Sequence, residues 1–285
     1  MAGIGAMGDL ARVNSNIGAL NTYNRLKENS KNIQRHQEHL ATGQRINRAS
    51  DSPANYVIAR KMTSKQNALA KAQENIGDAT AAMQEADTGL AQIHDIVLDM
   101  KELAQQAASD TVGPAEREAI EYEINQYASE IEDIAEDTNW QGVKLLDGNL
   151  DWTLQVGEKT NDKIEFAVAS SDDGKGFGTE DLELVDLKSG SHDEAVNTWE
   201  KLNVAEKKIL DAEERIGAVI NRMELKTDAL NSAATNTAAA ISRIRDADIA
   251  LEQMNLAKEN ILQQVSMVML TKTEQAPGQF MSLFR

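Results

Sequence analysis

Residues 241–270 read ISRIRDADIALEQMNLAKENILQQVSMVML, and the spacing of their apolar side chains decides the fold. Steps of three and four residues lay these side chains along one side of an α-helix. A helix of this kind is marginal in water unless another element covers its apolar stripe. The sequence therefore predicts a partner helix for the stripe, which consists of Ile241, Ile244, Ala247, Leu251, Met254, Ala257, Ile261, Val265 and Val268.

A second stripe with the same mixed spacing lies at the opposite end of the chain. Two such stripes can pack together as a coiled coil, so we expect the two chain ends to pair. This pairing predicts a terminal coiled-coil module made of residues 1–42 and 243–285. The N-terminal stripe consists of Leu10, Val13, Ile17, Leu20, Tyr23, Ile33 and Leu40.

The composition favours long helices and excludes several classes of protein. The 285 residues include only three prolines and few aromatic side chains. Without cysteine the chain cannot contain a disulfide, a thiolate metal site or a cysteine nucleophile. A net charge of -17 argues against nucleic acid as a partner, because the phosphates would be repelled.

The sequence shows no ordinary secretory signal and no membrane span. The first ten residues carry no lysine or arginine, and no continuous apolar core follows them. The longest strongly apolar run, residues 261–270, is about half of the roughly 20 residues that a membrane span needs. We therefore expect no membrane insertion, and a protein working outside the cell would have to leave by another route.

Helical spacing also runs through the middle of the chain, with interruptions at Gly43 and at Gly113-Pro114. The predicted helices cover residues 10–40, 54–109, 114–137 and 193–241. We assign the middle segments to a helical rod module of residues 43–150 and 193–242. The chain is expected to run outward through its N-terminal half and to return through its C-terminal half, which makes the helices long and antiparallel.

The spacing changes to a period of two only between these helical halves. A β-hairpin is predicted there, and its alternating residues are Trp152, Leu154, Val156, Ile164, Phe166 and Val168. A weak third strand is predicted at Leu182, Leu184 and Leu187. Residues 151–192 are therefore expected to form a small β-hairpin and loop insert in a protein that is mainly α.

Few side chains in this sequence are candidates for catalysis or metal binding. His36 and His39 share one helix face as a zinc pair would, but no Glu-x-x-His or His-Glu-x-x-His pattern supplies further ligands. We therefore predict that both are surface histidines. The acidic run in residues 116–136 is a cation site or a solvated helix face, and the solvated face is favoured. We predict no catalytic, cofactor-binding or metal-ligating residue and no enzyme activity.

Several short motifs, taken together, resemble flagellin, the subunit of the bacterial flagellar filament. The resemblance covers roughly the first 170 residues and the last 90. It rests on residues 14–20, on LATGQRINRASD at 40–51, NWQGVKLL at 139–146, LQVG at 154–157, SRIRDAD at 242–248, ILQQ at 261–264, and Pro277 with SLFR at 282–285.

The resemblance implies a minimal flagellin that polymerises through its paired chain ends. The family leaves the cell through the flagellar type III apparatus, which would account for the missing signal peptide. It also implies an extracellular filament, or a periplasmic one, and partners among export chaperones, the filament cap and hook-junction proteins. The candidate self-assembly residues are Leu10, Val13, Ile17, Leu20, Ile244, Leu251, Met254, Ile261, Val265 and Val268.

Many flagellins are recognised by the innate immune receptor TLR5 through a surface of the rod helices. The matching positions here run over residues 97–108 and around Glu123. Leu103 and Glu123 agree with the recognised pattern, whereas Asp99 stands where an arginine is usual. The reversed charge predicts weak or absent recognition.

Two other functions remain open at this point. A hook-filament junction protein shares the architecture but seals a junction instead of forming a long polymer, although residues 242–248 favour flagellin. An intracellular coiled-coil adaptor would form discrete dimers. Electron microscopy separates the three, because they predict tubes, short rings and small particles respectively.

Overall fold

The computed structural model describes residues 16–169 and 175–282, without the side chains of residues 276–282, and most of this chain is helical. The prediction of a mainly α fold with a small β-hairpin is confirmed. In the described residues the elements are α1 (Ile17–Thr42), α2 (Pro53–Ala107), α3 (Pro114–Asp137), β1 (Asn139–Trp140), β2 (Val143–Lys144), β3 (Leu150–Gln155), β4 (Lys163–Val168), α4 (His192–Arg245) and α5 (Ile249–Ser282).

The chain divides into two compact units. The central unit comprises residues 65–236, and the terminal unit comprises the chain on either side of it. Within the described residues the terminal unit therefore contains 16–64 and 237–282. Each chain end contributes one long helix to the terminal unit, α1 and α5 respectively, and these two helices pack against each other.

The core of the central unit is built from apolar residues at helical spacing. Met83, Leu90, Val97 and Met100 of α2 are each 0% exposed. They belong to one hydrophobic cluster with buried residues of α3, α4 and the β3–β4 hairpin. Each fully buried side chain of this size contributes roughly 1.5 to 3 kcal/mol. Since this cluster is drawn from residues 69–234, it does not include the two chain ends.

The hairpin forms where the sequence predicts it, but the weak third strand does not. Trp152 pairs with Phe166 across the antiparallel strands, and their rings stand edge to face with centroids 6.0 Å apart. The predicted strand at Leu182, Leu184 and Leu187 is wrong, because positive φ angles at Glu183 (63°) and Asp186 (52°) interrupt any extended run. The three leucines are buried in the core from this irregular segment.

The predicted single helix over residues 241–270 is also wrong, since α4 ends at Arg245 and α5 begins at Ile249. The backbone groups at this break bond to the loop after α1 instead of continuing the helix. The amide of Arg45 donates to the carbonyl of Arg245 (2.7 Å), and the amide of Ala247 donates to the carbonyl of Gly43 (3.0 Å). Asp248 then starts α5, because its carboxylate accepts the amides of the second and third residues beyond it.

Gly176 lies against the backbone of residues 146–147, so a substitution that adds a Cβ there should lower the stability of the protein. A Cβ at this position would stand 2.7 Å from the carbonyl carbon of Asp147 and 2.8 Å from the carbonyl oxygen of Leu146. Backbone atoms cannot move aside as a side chain can. We therefore expect Gly176→Ala to lower the free energy of unfolding by about 1 to 3 kcal/mol, measured by thermal or denaturant unfolding.

Gly77, in the middle of α2, is the matched control. A Cβ there would meet no atom within 4 Å. Because glycine is a poor helix former, Gly77→Ala should leave stability unchanged or raise it by up to about 1 kcal/mol. Equal effects of the two substitutions would contradict the argument from close approach.

Candidate functional site

The terminal unit contains an antiparallel pair of helices, α1 and α5. The side-chain amide of Asn16 donates to the carbonyl of Thr273 (2.7 Å), and the amide of Asn29 donates to the hydroxyl of Ser266 (3.3 Å). Toward the other end of the pair, His36 contacts Glu252. The two chain ends therefore pair as expected, with hydrogen bonds between their side chains at both ends of the contact.

The face of α5 toward α1, here called the seam, follows heptad spacing but is mostly polar. Its positions are separated by steps of four and three residues and are buried or half-buried. Leucine occupies only two of them. The seam positions of α5 are Glu252, Leu256, Glu259, Gln263, Ser266, Leu270 and Thr273.

The apolar stripe of α5 lies on the opposite side of the helix from the seam. Met254 is 64% exposed, Ile261 is 61% exposed and Val268 is 59% exposed. The prediction that this stripe packs against the N-terminal helix is therefore wrong. Periodicity showed which residues share a face, but the positions two residues away, which are mostly polar, lie on the opposite side of the helix and face α1 instead. Leu251, Leu262, Val265 and Met269 extend this exposed surface.

We call this surface the α5 outer face; it consists of Leu251, Met254, Ile261, Leu262, Val265, Val268 and Met269. A contiguous exposed apolar surface on a helix is typical of an interaction site.

The other candidate assembly residues lie in different environments. On α1, Ile17 is half-buried and Leu20 is 59% exposed. Ile244 is half-buried near the end of α4. Leu10 and Val13 lie outside the described residues. Among the described candidates, those on α5 are the most consistently exposed.

His36 and His39 are not surface histidines as predicted. His39 is 7% exposed and His36 is half-buried, and both face Glu252 of α5. The Nδ1 of His36 donates to one carboxylate oxygen (2.5 Å), and the Nδ1 of His39 donates to the other (3.0 Å). Burial raises the pKa of Glu252, but the two hydrogen bonds lower it by more, and the net pKa lies below the usual 4.5.

The three candidate receptor-facing residues all lie in the central unit. Asp99 of α2 and Glu123 of α3 are exposed. Leu103 is only half-buried and packs against the hydrophobic core. Next to them on α2, Lys101 forms an ion pair with Glu206 of α4 at 2.5 Å.

The acidic run of α3 has a structural role that the sequence did not indicate. Most of its carboxylates are exposed, but Glu121 accepts the backbone amide of Ser189 (2.8 Å). Glu132 accepts both the amide and the hydroxyl of Thr179 (2.7 Å each). These two side chains hold the irregular segment before α4 against α3.

Among the helices of residues 16–169 and 175–282, none combines the length and apolar character needed to cross a bilayer.

Comparisons with known proteins match nearly the whole chain. Residues 13–151 match the family model for the bacterial flagellin N-terminal helical region, and residues 200–284 match that for the C-terminal helical region. A flagellin of Halalkalibacterium halodurans is 32% identical over 274 residues, covering 96% of this chain and 99% of the relative. A flagellin of Bacillus subtilis is also 32% identical, over 303 residues that cover 96% of this chain and 100% of the relative.

A solved structure has a similar fold at low sequence identity. It is a Vibrio parahaemolyticus protein assigned as a flagellar hook-associated protein, with a TM-score of 0.59 and 14% identity. The similarity covers 69% of this chain and 100% of that protein. At this identity the comparison supports the fold alone.

Proposed function

The chain belongs to the bacterial flagellin family, and we propose that it assembles into the flagellar filament by burying the α5 outer face between neighbouring subunits. The observation that carries this proposal is the placement of the large apolar side chains of α5 on the side away from α1. Nothing else in the described part of the terminal unit covers them. A second copy of the same chain is the partner that a homopolymer supplies.

The energetics favour assembly through this surface. Removing a Leu, Ile, Val or Met side chain from water contributes roughly 1.5 to 3 kcal/mol when burial is complete. Ile261, Val265 and Val268 alone could therefore contribute several kcal/mol. This is enough to offset part of the entropy lost when subunits associate.

The polar seam fits the same function. A helix pair held mainly by polar side chains is weaker than one held by apolar side chains, because less apolar area leaves water. We therefore infer that α1 and α5 pair only marginally in the monomer and become fully ordered when neighbours cover their outer faces. The central unit has its own apolar core and should remain folded throughout.

Electron microscopy of the purified protein after seeding tests this function. We expect long tubes. Short rings would instead favour a hook-filament junction protein, and small discrete particles would favour a coiled-coil adaptor. Both flagellin family models match the chain, whereas the hook-associated protein shares only its fold, so the filament subunit is favoured.

The remaining partners follow from family membership. We propose export through the flagellar type III apparatus with the help of an export chaperone, followed by contact with the filament cap and the hook-junction proteins. The filament would then lie outside the cell. Secretion of the full-length chain by a flagellated bacterium, and its loss when the export apparatus is inactivated, would support this placement.

We further propose that Asp99 weakens recognition by TLR5. Asp99 is exposed on α2, so its carboxylate would face a receptor bound to this surface in place of the usual arginine. An exposed arginine can dominate a recognition surface, and reversing its charge repels an acidic partner. In a reporter assay on monomer we expect little or no signal from the wild type and a gain of at least about tenfold from Asp99→Arg.

The control for this assay is Asp95→Arg, which makes the same change at another exposed residue one turn earlier on α2. It should give a smaller gain. Strong signalling by the wild type, with no increase on Asp99→Arg, would show that Asp99 does not weaken the site.

A further inference from the structure

We propose that His36, His39 and Glu252 form a binding site for a divalent transition-metal ion of the zinc class, which links α1 to α5. His36 and His39 lie one turn apart on α1, and Glu252 lies in the first turn of α5. Among the described residues, these three are the group of His, Asp and Glu side chains whose ligand atoms all lie within 4.8 Å of one another.

The burial of the three side chains distinguishes this group from a surface cluster. Their side chains are 19%, 9% and 10% exposed for His36, His39 and Glu252 respectively. A carboxylate in such a place is costly unless it is paired with positive charge or hydrogen-bonded. The two imidazoles donate hydrogen bonds to this carboxylate, and a divalent cation bound among the three side chains would supply positive charge directly.

The donor set is one that zinc prefers. Two imidazole nitrogens and one carboxylate oxygen provide three protein ligands, and a water can complete a tetrahedral site. With metal–ligand bonds of roughly 2.0 to 2.2 Å, neighbouring ligand atoms stand roughly 3.3 Å apart. The nitrogen–oxygen distances of 2.5 Å and 3.0 Å need to widen by less than about 1 Å for this.

Each imidazole can act either as a hydrogen-bond donor or as a metal ligand through the same Nδ1 atom. In the hydrogen-bonded arrangement each Nδ1 carries a proton that it donates to Glu252. To bind metal, each ring would carry its proton on Nε2 and present the Nδ1 lone pair.

One of the three proposed ligands, His39, borders a cavity beside α1. His39 lines a cavity of about 710 Å³ that is bounded by polar side chains of α1 and of the loop after it. Arg35, Arg45 and Arg48 also line the cavity and oppose the approach of a cation, although Arg48 is paired with Glu38 at 2.9 Å. We therefore expect micromolar affinity for Zn²⁺ instead of the tighter binding typical of structural zinc sites.

The site would couple metal binding to the pairing of the chain ends. Its ligands come from both helices, so the complete set exists only when α1 and α5 are paired. A metal that binds only this paired state shifts the equilibrium toward it. At a free metal concentration 100 times the Kd, the ratio of paired to unpaired ends should rise about 100-fold.

Titration of Zn²⁺ into the full-length monomer by isothermal calorimetry tests the proposal. We expect saturable binding of one ion per chain. His36→Ala, His39→Ala and Glu252→Gln should each weaken binding by more than the roughly 10- to 100-fold that loss of an outer-sphere partner causes. Co²⁺ in place of Zn²⁺ should give the intense visible absorption of a four-coordinate site in the wild type and not in these three variants.

His192→Ala is the matched control, because it removes an exposed histidine outside the cluster. It should bind Zn²⁺ as the wild type does. Glu252→Gln keeps the size and shape of the side chain, and circular dichroism before titration establishes that the helices are intact. An absence of saturable binding at micromolar Zn²⁺, unchanged binding in Glu252→Gln, or an equal loss in His192→Ala would overturn the proposal.

Discussion

Ile261→Asp and Val265→Asp should leave the subunit folded and prevent filament growth. Both side chains are already exposed in the subunit, at 61% and 48%, so a carboxylate there stays in water while the protein is monomeric. In the proposed interface the same carboxylate would be dry and unpaired, which costs several kcal/mol. A loss of about 3 kcal/mol per contact raises the concentration needed for polymerisation by roughly 100-fold or more.

Seeded polymerisation followed by light scattering and electron microscopy measures this effect. Leu225→Asp is the matched control, because Leu225 is 72% exposed on α4 in the central unit and receives the same charge. The control should polymerise much better than either α5 variant, and Ile261→Leu should polymerise nearly as the wild type does. If Ile261→Asp formed normal filaments, the α5 outer face would not be the assembly surface. Loss of helical circular dichroism in this variant would contradict the independence of the central unit.

Removal of either chain end should have an equally large effect on assembly and a small one on the central unit. Deleting residues 1–40 takes away most of α1, and deleting the residues after 242 takes away α5. Both deletions spare residues 69–234, from which the hydrophobic core of the central unit is built. We therefore expect a soluble, folded protein that forms no filaments even when seeds are added.

Thermal unfolding and electron microscopy on the two truncated proteins check this expectation. The main unfolding transition should persist in both, since the core contacts remain. Normal filaments from either truncation would contradict the role of the terminal helices in assembly. Loss of the main transition would contradict the division into two units.

The sequence predicted helices well wherever periodicity and glycine or proline boundaries agreed. The helix predicted over residues 114–137 coincides with α3, because Pro114 fits the first turn and Glu116 caps the amide of Gly113. The β3–β4 hairpin followed from strict alternation. The same alternation at Leu182 and Leu184 was misleading, since two positive φ angles place these leucines in the core without a strand.

The candidate site was less predictable, because it depends on which surfaces meet. The apolar pattern of residues 241–270 identified an apolar helix face but not the element that covers it. The polar seam positions, such as Gln263 and Ser266, carry no apolar signal and were overlooked. His36 and Glu252 are 216 residues apart, so no local motif could join them.

The break between α4 and α5 has a consequence for the alignment of the terminal helices. The positions of a seam with heptad spacing coincide again after a slip of seven residues, so contacts between particular residues have to select one alignment. The backbone hydrogen bonds from Arg45 to Arg245 and from Ala247 to Gly43 join the loop after α1 to the break just before α5. These bonds fix the register of α1 against α5. The outer face of α5 should therefore have the same axial position in every subunit of a helical lattice.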